Sequence, residues 1–376
     1  MSISRKNIFE KHPRLSLILF VLIAFIVLDF LAGLIFIGQD INAFRAPHFY
    51  YHHTLLPNQK IQTTWDAEHY YTFITNSMGF RDSEIRKVSL TSDNKRILLI
   101  GDSHTEGVGV EFEDSFAGIM RDSLKQQNVE LLNAAAVSYS PRLYYLKVKY
   151  LIEEGGMDFD ELIVCIDISD IQNELAYEDF EPGNPTFMKQ FAFKLNKFFN
   201  NNSFVYHSIN KLIKQREIDA FYKKAERTDE NPKTDLYSGF FDEFHDSELL
   251  RNREFHNIGL WYLNREVFEK WGRQGLIKEK WHMAKLAELC REKFIGLTIV
   301  VYPWPVQIVA GDLESIQVQF WQQFSKEYKT AFVNLFPAFF EGAPEVNVVE
   351  KYYIPGDVHF NEKGHALVAR KLLENL

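Results

Sequence analysis

The stretch RILLIGDSHTEG, Arg96 to Gly107, passes from an apolar run through a glycine into a polar turn. An unbroken apolar run of this length, closed by turn residues, predicts a strand buried on both faces. A turn and a helix are expected directly after it. This geometry puts the Ser103 hydroxyl in the crevice outside the carboxyl ends of the strands. It also puts the Ser103 backbone N–H among the unpaired donors of a helix start, where developing negative charge is stabilised. Three other readings fail. No Gly-Lys-Ser/Thr follows, so this is not a nucleotide loop. The glycine spacing does not fit a dinucleotide fingerprint. Thr105 stands where a G-x-S-x-G elbow needs its last glycine.

Outward from this block the chain alternates strands and helices. Further strands are expected at Val129–Leu132, Leu162–Ile166, Leu297–Tyr302 and Phe332–Leu335. Helices are expected at Asp114–Lys125, Leu143–Glu154 and Asn361–Leu373. The rhythm predicts an α/β fold, a three-layer α/β/α sandwich on a mostly parallel sheet. A mainly helical insertion, about 171–278, breaks it. Its Phe187–Phe199 portion is amphipathic and reads either as structural packing on the sheet edge or as a lid over the acyl side. Its Glu226–Asp235 portion is polar.

The N-terminus is of another kind. Leu15–Gly38 is apolar except for Asp29, and exceeds the roughly 20 residues that a bilayer core requires. Arg5, Lys6, Lys11 and Arg14 precede it. The positive-inside rule then keeps residues 1–14 in the cytoplasm, with 15–38 as an uncleaved anchor and the rest outside. The expected organisation continues with a connector at 39–90 and the main domain at 91–376. The net charge of −9, with no basic tail, argues against nucleic acid as a partner. Cys165 and Cys290 cannot make a disulfide scaffold and are expected to be free thiols.

Two further segments carry chemistry. Near the C-terminus stands Pro355-Gly356-Asp357-Val358-His359-Phe360-Asn361-Glu362-Lys363-Gly364-His365. His359 precedes a helix expected to be capped near Asn361. An acid two residues away makes His359 a plausible base with Asp357 as its orienter. Asp357, His359 and His365 match no zinc spacing, so no metal and no organic cofactor is expected. The second segment, Asp167-Ile168-Ser169-Asp170, ends the third strand at the same crevice.

Together the GDSHTEG and DVHFNEKGH blocks resemble the GDSL or SGNH hydrolases. Thr75-Asn76-Ser77-Met78-Gly79-Phe80-Arg81-Asp82 and Val301-Tyr302-Pro303-Trp304-Pro305 resemble membrane-anchored bacterial members. The resemblance implies a flavodoxin-like sheet and serine esterase or acyltransferase chemistry. It implies Ser103 as nucleophile and His359 as base. The family acid would fall on Gly356, whereas here Asp357 is the nearest carboxylate. The oxyanion donors would be Ser103, Ser138 in place of a glycine, and Ser169 in place of an asparagine. With the domain outside the inner membrane, on the periplasmic side, the natural substrates are O-acyl esters of envelope glycans, O-acetyl above all. Acyl transfer, lipid or short-chain ester hydrolysis, and a degenerate glycan-binding or scaffold role are the alternatives.

Overall fold

The structure, a computed structural model, describes residues 11–37, 44–64, 70–183, 185–213, 216, 261–262, 268–341 and 345–376. The Glu226–Asp235 stretch and the leader residues Arg5 and Lys6 lie outside them. The chain divides into two compact units: Met1–Asp40 with Pro185–Leu236, and Ile41–Asn184 with Tyr237–Leu376.

The first unit contains α1 (Pro13–Phe36), with its proline in the first turn, where a missing N–H costs nothing. Its apolar side chains are exposed all round, and only Gly33 is buried. The helix is long and apolar enough to cross a membrane, which supports anchoring there.

The second unit begins with two antiparallel strand pairs, β1 (Arg45–His48) with β2 (His52–Leu55), and β3 (Lys60–Thr64) with β4 (Tyr70–Ile74). The stretch read as a connector thus has its own structure. Next come β5 (Arg96–Ile100), the short α2 (Ser103–Glu106), α3 (Phe116–Lys125), β6 (Glu130–Asn133), α4 (Pro141–Glu153), β7 (Glu161–Ile166) and α5 (Asp170–Ala176). After α6 (Phe187–Asn202), which belongs to the first unit, follow α7 (Arg273–Glu292), β8 (Gly296–Val301), α8 (Pro305–Val309), α9 (Ile316–Tyr328), β9 (Ala331–Asn334), α10 (Phe336–Phe340), α11 (Glu345–Tyr352) and α12 (Glu362–Leu373).

Strands β5 to β9 form one sheet in the order β6-β5-β7-β8-β9, parallel throughout. The expected strands match these to within a residue. Alternate side chains of β5 enter opposite cores. Leu98 and Ile100 pack with α4, α7 and α9, whereas Ile97 and Leu99 pack with α3, α10 and α12. Both faces are therefore covered, which is why the strands read as continuous apolar runs. Helix α3 starts two residues later than expected, because Ser115 caps it by accepting the Gly118 N–H. The chain leaves β5 on one side for β6, then returns to β7 on the other. The crevice at such a switch point receives the loops after β5 and β7.

The cysteines bear out the expectation. Cys165 lies in one core and Cys290 in the other, and both are free and buried. Burial pushes each thiol up to about 12. Because the thiolate is the reactive form, neither should react with iodoacetamide in the native protein at pH 8, and both should react in denaturant. Intact mass distinguishes these outcomes, and a resistant pair in non-reducing denaturant would contradict the assignment.

Candidate active site

Strand β5 delivers its chain to the switch point through Gly101. A Cβ there would come within 2.1 Å of Thr105 Oγ1, so the turn back over the strand end requires glycine. Asp102 caps α2, accepting the His104 N–H at 3.0 Å. This leaves Ser103 at the first turn, nearly buried, with its Oγ donating to Asp102 Oδ2 at 3.3 Å.

The C-terminal block reaches the same turn. His104 Nε2 lies 2.9 Å from the Val358 carbonyl, and the rings of His104 and His359 are centred 5.0 Å apart. Asp357 Oδ1 accepts both the His359 backbone N–H, at 2.9 Å, and Nδ1, at 2.5 Å. The two-residue spacing therefore orients the imidazole, and Gly356 leaves this work to its neighbour. Burial alone would raise the Asp357 carboxyl; the adjacent His359 outweighs it and holds the group below the usual range. Asn361 caps α12 as expected, accepting from Lys363 and Gly364. His365 faces away to another task, its Nδ1 meeting the Phe116 N–H at the start of α3.

A buried ionic cluster lies under Ser103. His104 Nδ1 lies 3.3 Å from Asp167 and 3.8 Å from Asp102, all three side chains being buried. The Val358 carbonyl accepts from Nε2–H, and the two acids beside Nδ1 favour the charged ring. Burial opposes that charge, but the two acids raise His104 to about 10. His104 in turn holds Asp167 well below the ordinary carboxylate value against burial, while burial and Asp167 push Asp102 up. Trp304 Nε1 donates to Asp167 and the Tyr302 hydroxyl to Asp102. The Val301–Pro305 stretch therefore supplies donors to both acids. Asp102, His104 and Asp167 could present three ligand atoms to a metal within 4.8 Å of one another. Trp304 Nε1 and the Ser169 hydroxyl already donate to the two Asp167 oxygens.

This cluster predicts a pH signature. A histidine raised above its ordinary ~6.5 stabilises the fold fully below that pH and loses the contribution as pH climbs toward 10. His104→Gln should therefore lower Tm most near pH 6, and the deficit should shrink by pH 10. The difference from wild type is the quantity to follow, because Lys147, lowered to about 7 by burial, contributes in the opposite sense. A deficit constant with pH would contradict the charged state.

The loop after β6 completes the rim. Ala136 N–H donates to the Gly101 carbonyl at 3.3 Å, and Val137 N–H to Glu106 Oε2 at 2.9 Å. The next residue, Ser138, is left-handed with φ +62°. A glycine would take that conformation freely; serine pays about 1–2 kcal/mol. Ser169, after β7, directs its N–H and its Oγ to Asp167 Oδ1, both at 2.7 Å. Its single hydroxyl proton is thus engaged away from any ligand.

Three residues that the sequence reading assigned no role hold this arrangement. Glu106, fully buried, receives a two-pronged ion pair from Arg45 of β1, at 2.8 and 2.5 Å, besides the Val137 N–H. Arg81, also buried, donates to the carbonyls of Glu106, Gly107 and Val110, closing the end of α2. The Asn76 side-chain Oδ1, accepting from the N–H groups of Met78 and Phe80, shapes the turn that delivers it. The β1–β2 pair also braces the rim, His53 Nε2 lying 2.7 Å from the Val137 carbonyl.

No protein-family model and no curated protein matches the chain. Several solved structures are similar. One is a psychrotrophic esterase from Pseudoalteromonas sp., at 9% identity and TM-score 0.36, covering 75% of this chain and 96% of that one. Another is a member of the lipolytic protein G-D-S-L family from Veillonella parvula, at 13% and 0.35, covering 74% and 97%. A third is an acetylxylan esterase from Geobacillus stearothermophilus, at 13% and 0.37, covering 76% and 95%.

Proposed function

We propose that the chain is a serine ester hydrolase of the SGNH kind, acting on O-acyl, chiefly O-acetyl, esters of extracytoplasmic glycans. One observation carries the reading: Ser103 stands at the switch-point end of β5, and the segment bearing His359 is held to the next residue, His104, with Asp357 on the His359 Nδ1.

In this mechanism Ser103 turns about its Cα–Cβ bond from Asp102 toward His359. Its oxygen attacks the ester carbonyl while His359 Nε2 takes the proton. Asp357 keeps Nδ1–H in place and stabilises the imidazolium. The backbone N–H groups of Ser103 and Ser138 receive the oxyanion. Ser169 joins them only by breaking its bond to Asp167. His359 returns the proton to the departing alkoxide, and water, activated by the same base, releases the acid. A sugar hydroxyl in place of that water gives the acyltransferase alternative. The anchor and its basic leader support placing this unit on the periplasmic face of the inner membrane, where glycan esters are available.

The test is a fluorophosphonate probe on the full-length protein, followed by peptide mapping. Label on Ser103 is expected. Acetate release from acetylated glycans, with and without free sugar acceptors, then separates hydrolysis from transfer. A folded protein that takes no label and turns over no activated acetyl ester would favour the glycan-binding role.

A further inference from the structure

The Phe187–Phe199 stretch makes its ring contacts with the anchor helix. Phe30 of α1 meets Phe198 and Phe199, with centroids 5.9 and 6.4 Å apart, and Phe36 meets Phe204 at 5.6 Å. Residues 204–213 form a second helical segment directly after α6. Gly33 lets the two elements close up, since a Cβ there would lie 2.0 Å from the Asn202 carbonyl oxygen. Asp29, the one charge in the apolar run, accepts the Val205 N–H at 2.8 Å. It thereby satisfies an unpaired donor at the start of the second helical segment, where a carboxylate is also favoured by the helix dipole.

Beyond these contacts the two helical segments leave further apolar side chains uncovered. Phe187 is 78% exposed and Leu212 62%, with Phe191, Ile209 and Ile213 also exposed. Apolar exposure this continuous marks an interaction surface. The charge of the segment identifies what it meets. Residues 187–216 contain Lys189, Lys194, Lys197, Lys211, Lys214 and Arg216 and no acidic residue, in a chain of net charge −9. An apolar face bordered by lysines is the pattern of a helix lying in a bilayer interface. The depth agrees. All the contacts fall on Asp29–Phe36 of α1, so they reach about 10 Å inward from the helix end at 1.5 Å per residue. Interfacial helices sink about 5–10 Å.

We propose that residues 187–213 are an interfacial membrane element, docked on the last two turns of α1 and seated in the same bilayer. The proposal rests on α1 being a membrane anchor and is independent of the ester chemistry. It assigns Asp29 a structural part within the membrane boundary.

The test uses full-length protein in vesicles of phosphatidylcholine and phosphatidylglycerol, 3:1. Phe191→Cys, Lys197→Cys and Leu22→Cys are labelled separately with bimane; the two native thiols are buried. The Phe191 label should lose fluorescence to lipids carrying a shallow nitroxide and none to aqueous iodide. The Lys197 label should respond to iodide, and the Leu22 label, mid-anchor, to a deep nitroxide. A Phe191 label open to iodide, with the Leu22 label still in lipid, overturns the proposal and leaves the anchor standing. A Leu22 label open to iodide overturns both. A Phe191 label shielded from both quenchers, more so as protein-to-lipid ratio rises, overturns it in favour of a second copy.

Discussion

Ser103→Ala is expected to abolish fluorophosphonate labelling, and His359→Ala to lower the acylation rate by roughly 10⁴- to 10⁶-fold. The size of the second effect follows from the chemistry. A serine hydroxyl is a weak nucleophile until a base removes its proton, and the His359 segment is held to His104, the residue after Ser103, through the Val358 carbonyl. Asp357→Asn should cost up to about 10⁴-fold, because an amide can leave the imidazole in the wrong tautomer while preserving its position. Asp102 and Asp167 cannot substitute for it, as they are already committed to His104, Ser103, Tyr302 and Trp304. Ser103→Ala should keep the wild-type thermal transition, and the other two variants should still unfold cooperatively, at a lower temperature because a buried pair is broken. Undiminished labelling in His359→Ala, or labelling that persists on another serine in Ser103→Ala, would overturn the assignment.

Glu106→Gln is expected to have the largest effect on stability, about 3 kcal/mol. Removing one member of a buried ion pair costs about 3–5 kcal/mol. The lower end applies because Arg45 retains 23% of its side-chain exposure and can recover some hydration. The same change disturbs the rim, since Glu106 also accepts the Val137 N–H beside Ser138. A fall in kcat exceeding any rise in KM is therefore expected, together with coupling to Arg45→Ala in a double-mutant cycle. Additive effects of the two substitutions would mean that the ion pair does not act as a unit.

The sheet was legible because strands buried on both faces leave uninterrupted apolar runs, and all five lie within a residue of expectation. Ser103 and His359 were legible as candidates, because short polar blocks directly follow or precede such elements. The supports were not. Glu106 sits beside Ser103 in the chain, but its partner Arg45 is 61 residues away, in a stretch whose aromatic and polar mixture has no regular period. Likewise nothing local distinguishes His104 from a turn residue until two carboxylates and a carbonyl surround it. Ser138 was expected to keep its role if the turn tolerated an ordinary backbone; its φ is positive, so the exchange carries strain. The phenylalanines of α6 were read by their helical spacing as packing on the sheet edge or as a lid, whereas Phe198 and Phe199 meet Phe30 of α1; spacing identifies an apolar face and not its partner.

The carbonyl that His104 binds lies 254 residues further along the chain. At about 5–20 residues per second, a ribosome makes the serine turn roughly ten to fifty seconds before Val358 emerges. During that interval the turn lacks the His359 segment and His104 lacks its carbonyl partner. On the proposed mechanism, the order of synthesis therefore leaves Ser103 without a base while the chain is being made. Such long-range closure also makes folding slow, because the contact that arms the site is among the last that can form.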